Sequence, residues 1–247
     1  MTRSVTDIWR HPIKSHGRES VASILLETGR MLPWDRTWAV AHEMSDADGS
    51  EWVSCRNFSI GSKTPELSAI SARLDEATGR VTLAHPKRDD LTFDPDTEGE
   101  KLIAWTQGFI PDSRAQSARV VRGQERGFSD SDFPSVTLCN HASHRAVEEK
   151  IGHALSRHRW RGNLWFEGGT AWEEFDWMGK DVQIGEAVLH IRERTDRCLA
   201  THNNPDTGAR DAQVLQTLDS FGHRDFSVRA EVIRGGRIAP SDEVKPL

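Results

Sequence analysis

Cysteine is scarce in this 247-residue sequence: Cys55, Cys139 and Cys198 are the only three, and no two form a C-x-x-C pair. That excludes a disulfide framework and a structural zinc site. Eleven histidines are present, but no H-E-x-x-H or comparable spacing joins them. Long apolar runs are missing too, which excludes a hydrophobic membrane-spanning helix. The opening residues MTRSVTDIWRHPIKS lack the apolar stretch of a signal peptide, so a cytoplasmic protein with no membrane partner is expected. An excess of positive charge is also lacking, since 32 Lys and Arg face 38 Asp and Glu for a net charge of −6. A general nucleic-acid binder needs a positive face for phosphate and is therefore excluded. Local basic patches could still hold a phosphorylated small molecule. Tyrosine is absent beside nine tryptophans, an imbalance for which we have no physical account.

What remains is an ordinary soluble globular composition, 36% hydrophobic and 28% charged. Short strand-like runs dominate, at residues 6–10, 21–26, 37–42, 51–56, 69–74, 81–84, 91–93, 118–121, 136–139, 163–166, 188–194 and 226–233. Turn-forming clusters at 46–49, 76–79 and 235–236 separate several of them. Residues 123–134 read as a polar loop. Helices are expected over 99–109, from a Ser143 cap to about 158, and over 211–221. The fold class is therefore predominantly β with a few helices (α+β), and barrel-like. The first half is nearly all hairpins, so an N-terminal β subdomain over 1–95 and a second domain over 96–247 are expected.

The segment 192–211, RERTDRCLATHNNPDTGARD, follows a strand-like run and carries Cys198 into a turn marked by Asn204, Pro205, Asp206 and Gly208. Arg194, Arg197 and Arg210 flank the thiol in sequence, a setting that favours thiolate, the nucleophile and soft metal ligand. Alternatively, Cys198 is a small buried hydrophobe.

Several separated motifs resemble the MOSC family, which includes the C-terminal domain of molybdenum cofactor sulfurase and the mitochondrial amidoxime-reducing component. Arg197-Cys198, five residues, then Asn204-Pro205-Asp206-Thr207-Gly208 is similar to that family's cysteine segment. His11-Pro12-Ile13-Lys14-Ser15 resembles its Tyr-Pro-Val/Ile-Lys-Ser motif, and Asp35-Arg36-Thr37-Trp38-Ala39-Val40 its Asp-Arg-x-Trp-x-Val strand. Arg159-Trp160-Arg161-Gly162-Asn163 resembles Arg-Phe-Arg-Pro-Asn. Gly236-Arg237-Ile238 and Ser241-Asp242-Glu243-Val244 resemble the closing hairpin. The order and spacing hold across nearly the whole chain.

The resemblance implies a β-barrel MOSC domain behind an N-terminal barrel-like subdomain, with a molybdenum cofactor (molybdopterin and Mo). Cys198 would be the metal's protein ligand, or a carrier of sulfur. Lys14, Ser15 and Arg36 would anchor the cofactor's phosphate, as fixed cations and donors can; alternatively they are loop surface charge. Arg161 and Asn163 would bond the pterin edge, or else hold a strand end. Arg197 would hold cofactor or substrate oxygen, or pair with Asp196. Cys55 and Cys139 are set aside as structural. The departures at His11, Asp196 and 201–204 are expected where substrate approaches. The implied activity is reduction of an N-hydroxylated or other N- or S-oxygenated small molecule. A plant-type ferredoxin cysteine set is missing, so electrons would come from a separate ferredoxin- or cytochrome-type donor with its reductase. The alternative from another class is a cofactor-binding or persulfide sulfur-carrier protein.

Overall fold

The structure, a computed structural model, describes residues 2–124 and 126–247. The strands are β1 (Ser4–Arg10), β2 (Glu19–Val21), β3 (Ile24–Leu26), β4 (Trp38–His42), β5 (Ser71–Leu74), β6 (Val81–His85), β7 (Arg88–Phe93) and β8 (Ser117–Arg122). They continue as β9 (Val136–Asn140), β10 (Leu164–Glu167), β11 (Asp181–Ile184), β12 (Ala187–Asp196), β13 (Asp225–Arg234), β14 (Gly236–Ile238) and β15 (Val244–Pro246). Three α-helices interrupt them among the described residues: α1 (Gly99–Trp105), α2 (His141–Ile151) and α3 (Val214–Asp219). The expected β-dominated class is what the chain adopts.

Eight strands form one sheet in the order β15-β11-β12-β13-β9-β10-β1-β2. Its pairings are antiparallel except β9 with β10. The sheet curls until β1 meets the approach to β15, where Ser4 bridges Glu243 and Val244 N–H donates to the Arg3 carbonyl at 2.9 Å. No continuous ladder crosses that seam, so this is a nearly closed sheet and not the closed barrel expected. Its interior is apolar, with Leu138, Leu164, Phe166, Leu189, Ile191, Val228 and Ala230 buried together. Outside it, α2 and α3 cover Cys139, Trp160, Trp165 and Phe226, with Trp160 and Phe226 stacked at 3.8 Å.

The N-terminal half likewise lacks a closed barrel among the described residues. A β4–β8 pair and a separate β5-β6-β7 sheet share an apolar core with α1, centred on Ile13, Trp38, Leu83, Phe93 and Leu102. The expected boundary near 95 falls between β7 and α1, while β8 pairs back onto β4 and β1 belongs to the large sheet.

Local differences have local causes. Residues 51–54 form no strand: Trp52 donates to the Ser129 carbonyl at 2.8 Å and lies under the Arg126 guanidinium, so side chains anchor the segment. The single strand expected over 21–26 is two, because β2 pairs with β1 and β3 with β14. Asn140, not Ser143, caps α2, accepting from Ala142 N–H at 2.8 Å. Gly152 ends that helix in the left-handed conformation at φ 89°, well before residue 158. The expected loop over 123–134 contains Glu125, which lies outside the described residues; its neighbours on both sides are irregular.

Candidate functional site

A cavity of about 200 Å³ opens where the two halves of the chain meet. The N-terminal half supplies Lys14, Ser15, Arg36, Cys55 and residues 60–62; the C-terminal half supplies Arg161, Arg197, Cys198 and Arg229 among others. Six of the seven residues singled out from sequence therefore share one wall system. Asn163 is the exception. It is buried behind the cavity, accepting from Thr137 N–H at 3.1 Å and donating to the Trp9 carbonyl at 3.1 Å, so it holds strand ends.

Cys198 leaves the end of β12 and caps the turn Leu199–His202, with its carbonyl accepting from Thr201. It is exposed, which removes the reading of a buried hydrophobe. Cys139 is the buried one, its thiol pushed up to about 12 by burial. Gly162 allows that burial, since a Cβ there would stand 2.1 Å from the Cys139 sulfur.

Six cations and two carboxylates, Asp130 and Asp196, line the cavity. Most of the cations are already engaged. Lys14 is buried, donating to the Phe128 carbonyl at 2.8 Å and pairing with Asp130. Burial lowers its pKa, with Asp130 opposing. Arg36 pairs with the enclosed carboxylate of Asp35 and donates to the Arg161 carbonyl at 2.9 Å. Arg159 and Arg229 pair with Asp211 and Glu193. Arg197 does not pair with Asp196. Its guanidinium donates to the Phe226 and Trp160 carbonyls and to Ser227, beside the stacked Trp160 and Phe226 rings. Five N–H groups and four such bonds leave Arg197 one donor, so it chiefly fastens the strand behind Cys198.

Arg161 stands apart. It has no carboxylate within ion-pair distance among the described residues, and its Nη2 reaches only the Gly17 carbonyl at 3.3 Å. Burial and the adjacent Arg36 lower its pKa to about 9. The Ser15 hydroxyl likewise has no hydrogen-bond partner among the described residues. Ser15, Arg36 and Arg161 share a further property: all three hold left-handed backbone, at φ 62°, 52° and 51°. Such conformations are disfavoured for residues with a Cβ and gather at functional sites. These features describe a site with open donors for an anion beside an accessible thiol.

His11, expected where substrate approaches, is instead fully buried below the site. Its backbone N–H donates to Asp35 Oδ1 at 2.7 Å, and its ring is 3.2 Å from the same oxygen. Burial and Arg161 lower it to about 3, so it is neutral at physiological pH. Of the altered loop, Thr201 lines the cavity while His202 and Asn203 are buried in its support. Cys55, set aside as structural, lines the cavity, and sequence reasoning gave no role to Asp130, Arg159 or Arg229. The polar neighbours Ser54 and Arg56 were the available sign that Cys55 is not a core residue.

No group of three or more His, Cys, Asp or Glu side chains among the described residues could hold a bare metal ion. A metal at Cys198 would need most of its ligands from elsewhere, as a dithiolene-bearing cofactor brings them. The open donors and the exposed thiol fit such a group. Among the described residues, no helix is long and apolar enough to cross a membrane.

Comparison with known proteins gives two family matches: the MOSC N-terminal beta barrel domain over residues 2–121 and the MOSC domain over 126–245. "Molybdenum cofactor sulfurase 3" of Aedes aegypti is 24% identical, with the match spanning 84% of this chain and 31% of that protein. The chain thus spans under a third of that relative's length. Among solved structures, the YUAD protein from Bacillus subtilis matches with TM-score 0.48 and 10% identity, over 100% of this chain and 96% of that one. YiiM from Geobacillus stearothermophilus matches with TM-score 0.35 and 18% identity, over 45% of this chain and 53% of that one.

Proposed function

This chain belongs to the MOSC family in its two-domain form, and from that premise we propose that it is a molybdenum-cofactor-dependent oxidoreductase. Its substrates would be N-hydroxylated or other N- or S-oxygenated small molecules, with Cys198 as the protein ligand of the metal. The observation carrying this reading is the convergence, in one cavity, of Lys14, Ser15, Arg36 and Arg161 with the exposed Cys198.

The bound cofactor would supply the two-electron chemistry that removes oxygen from the substrate, which no side chain here can perform. The chain's part is binding and orientation. Ser15 and Arg161 offer uncommitted donors to a phosphate, and Lys14 and Arg36 add fixed positive charge nearby. Arg197, held by the Phe226 and Trp160 carbonyls, keeps the end of β12 in place so that the Cys198 sulfur stays on the cavity wall. Arg159 does the same for the following loop, donating to the Thr201 carbonyl at 2.8 Å. Electrons would arrive from a separate ferredoxin- or cytochrome-type protein with its reductase.

A second reading, a persulfide sulfur carrier, draws on the same exposure of Cys198. One paired experiment decides between them. Metal analysis and turnover of a hydroxylamine or amidoxime with an artificial low-potential donor are measured on wild type and Cys198→Ala. The oxidoreductase reading expects molybdenum and turnover in wild type and loss of both in the variant. Wild-type protein that carries molybdenum without reducing any such substrate, and gains one sulfur atom on Cys198 from a cysteine desulfurase, would establish the carrier instead.

A further inference from the structure

Two of the three cysteines open onto the same cavity, one from each half of the chain. Cys55 begins the short turn Cys55–Asn57, and Cys198 immediately precedes the turn Leu199–His202. Neither sits within a strand or an α-helix. The segments that carry them are laced together. Asn203, fully buried, donates to the Gly61 carbonyl at 2.8 Å and to Ser68 Oγ at 2.9 Å. Arg210 donates to the Ser62 carbonyl at 2.8 Å. Both cysteines therefore line one space, outside the strands and α-helices, with their flanking segments pinned to each other.

We propose that Cys55 is a resolving thiol for Cys198, closing an intramolecular disulfide across the cavity after a hydroperoxide has oxidised Cys198. The exposed Cys198 sulfur attacks the peroxide O–O bond, giving a sulfenic acid and releasing an alcohol, or water when the oxidant is hydrogen peroxide. The Cys55 sulfur then attacks the Cys198 sulfur. The S–O bond breaks, and the hydroxyl departs with the Cys55 proton as water. Two thiols have lost two electrons and two protons, and the peroxide has accepted them. A disulfide needs Cα atoms about 4.4–6.8 Å apart, so the proposal requires the two cavity-wall segments to approach to that distance. The link ties the two halves of the chain and makes the Cys198 sulfur unavailable until a thiol reductant restores it. Cys139, buried beneath Gly162, takes no part. The inference concerns the chain without bound cofactor, in which the Cys198 sulfur is free to react.

The full chain, reduced and freed of reductant, is treated with one equivalent of hydrogen peroxide and examined by intact mass and non-reducing peptide mapping. Loss of two hydrogens from a monomer, with the Cys55 and Cys198 peptides joined and separable by dithiothreitol, is expected. Cys55→Ser should lose the link and instead accumulate oxygen on Cys198. A measurement independent of any substitution uses phenylarsine oxide, which bridges neighbouring thiols: one arsenical should bind per native wild-type chain. Oxygen accumulating on Cys198 of the wild type while Cys55 stays free, cross-linking between chains only, or failure to bind the arsenical would each overturn the proposal.

Discussion

Replacing Arg161 with Met separates what this residue does for a bound anion from what it does for the fold. Among the described residues its guanidinium has no carboxylate within ion-pair distance, and burial with the Arg36 charge lowers its pKa to about 9. An arginine stays protonated in practice, so the penalty falls on the folded state. A full conversion at about 1.4 kcal/mol per unit would overstate it, because the side chain is partly open to solvent. Allowing for screening, ~1–2 kcal/mol of destabilisation is reasonable. Against that stands one long bond to the Gly17 carbonyl, 3.3 Å, at most about 1 kcal/mol. The left-handed backbone is common to both side chains and cancels. Arg161→Met should therefore melt at the wild-type temperature or up to about 4 °C higher, at roughly 2–4 °C per kcal/mol for a chain of this size. Anion affinity should move the other way. A charge-assisted hydrogen bond is worth about 1.5–3 kcal/mol, so pyrophosphate should bind roughly 10- to 150-fold more weakly. Titration calorimetry with pyrophosphate at pH 7, beside melting curves with and without it, reads both quantities. A fall in melting temperature beyond about 3 °C, or unchanged pyrophosphate affinity, would refute the reasoning.

Two further substitutions test the buried electrostatics. The Asp35 carboxyl is pushed up by burial, but Arg36 and the His11 hydrogen bonds outweigh this and hold it below the usual range. Asp35→Asn strands Arg36, costing about 3 kcal/mol, or roughly 6–12 °C in melting temperature at pH 7. Because the folded-state pKa is depressed, that stability is present above the unfolded carboxyl's pKa of about 3.9 and lost below it; a melting gap that does not narrow below pH 4 would contradict the assignment. Glu174 is fully buried between Asn140 and Ser143, and burial raises it to about 7. Here the folded state keeps the proton longer, so wild-type stability should fall between about pH 4.5 and 7, by up to about 3 kcal/mol, and then level off. Glu174→Gln should remove that decline in urea midpoints, and parallel pH profiles for the two proteins would count against it.

Much of this was legible in sequence because the relevant signals are local. Alternation and turn residues locate most strands. The cysteine segment is set off by the Asn204–Gly208 turn, where Gly208 takes φ 73° against Glu66. What sequence could not disclose is pairing at a distance. Residues 21–26 look like one strand, yet they divide between β1 and β14. The large sheet orders β1 beside β10, and a nearly closed seam is set by bonds between residues at opposite ends of the chain. Asn163 and Arg161 are two residues apart, but one faces strand ends and the other the cavity, because Gly162 turns the chain against Cys139. Cys55 belongs to a polar, irregular segment whose place beside Cys198 depends on Asn203 reaching Gly61.

Of the seven non-glycine residues with positive φ among the described residues, Ser15, Arg36 and Arg161 line this one cavity. Glycine would occupy left-handed backbone without the roughly 1–2 kcal/mol penalty of a side-chain-bearing residue. The chain has glycine at hand nearby: Gly17 takes φ 89° two residues after Ser15. Yet three cavity positions keep Ser, Arg and Arg, and the backbone at Arg36 is fixed from outside. Arg36 N–H donates to the His11 carbonyl at 2.7 Å, and its own carbonyl accepts from Phe128 N–H at 2.8 Å. Gly127 lies so close that a Cβ there would stand 2.7–2.8 Å from the Asp35 and Arg36 carbonyls. The surrounding chain thus holds this turn, and the side chain it presents has its pair in Asp35, while Arg161 beside it has none among the described residues. The fold therefore carries backbone strain and burial at Arg161 that no ion pair among the described residues offsets.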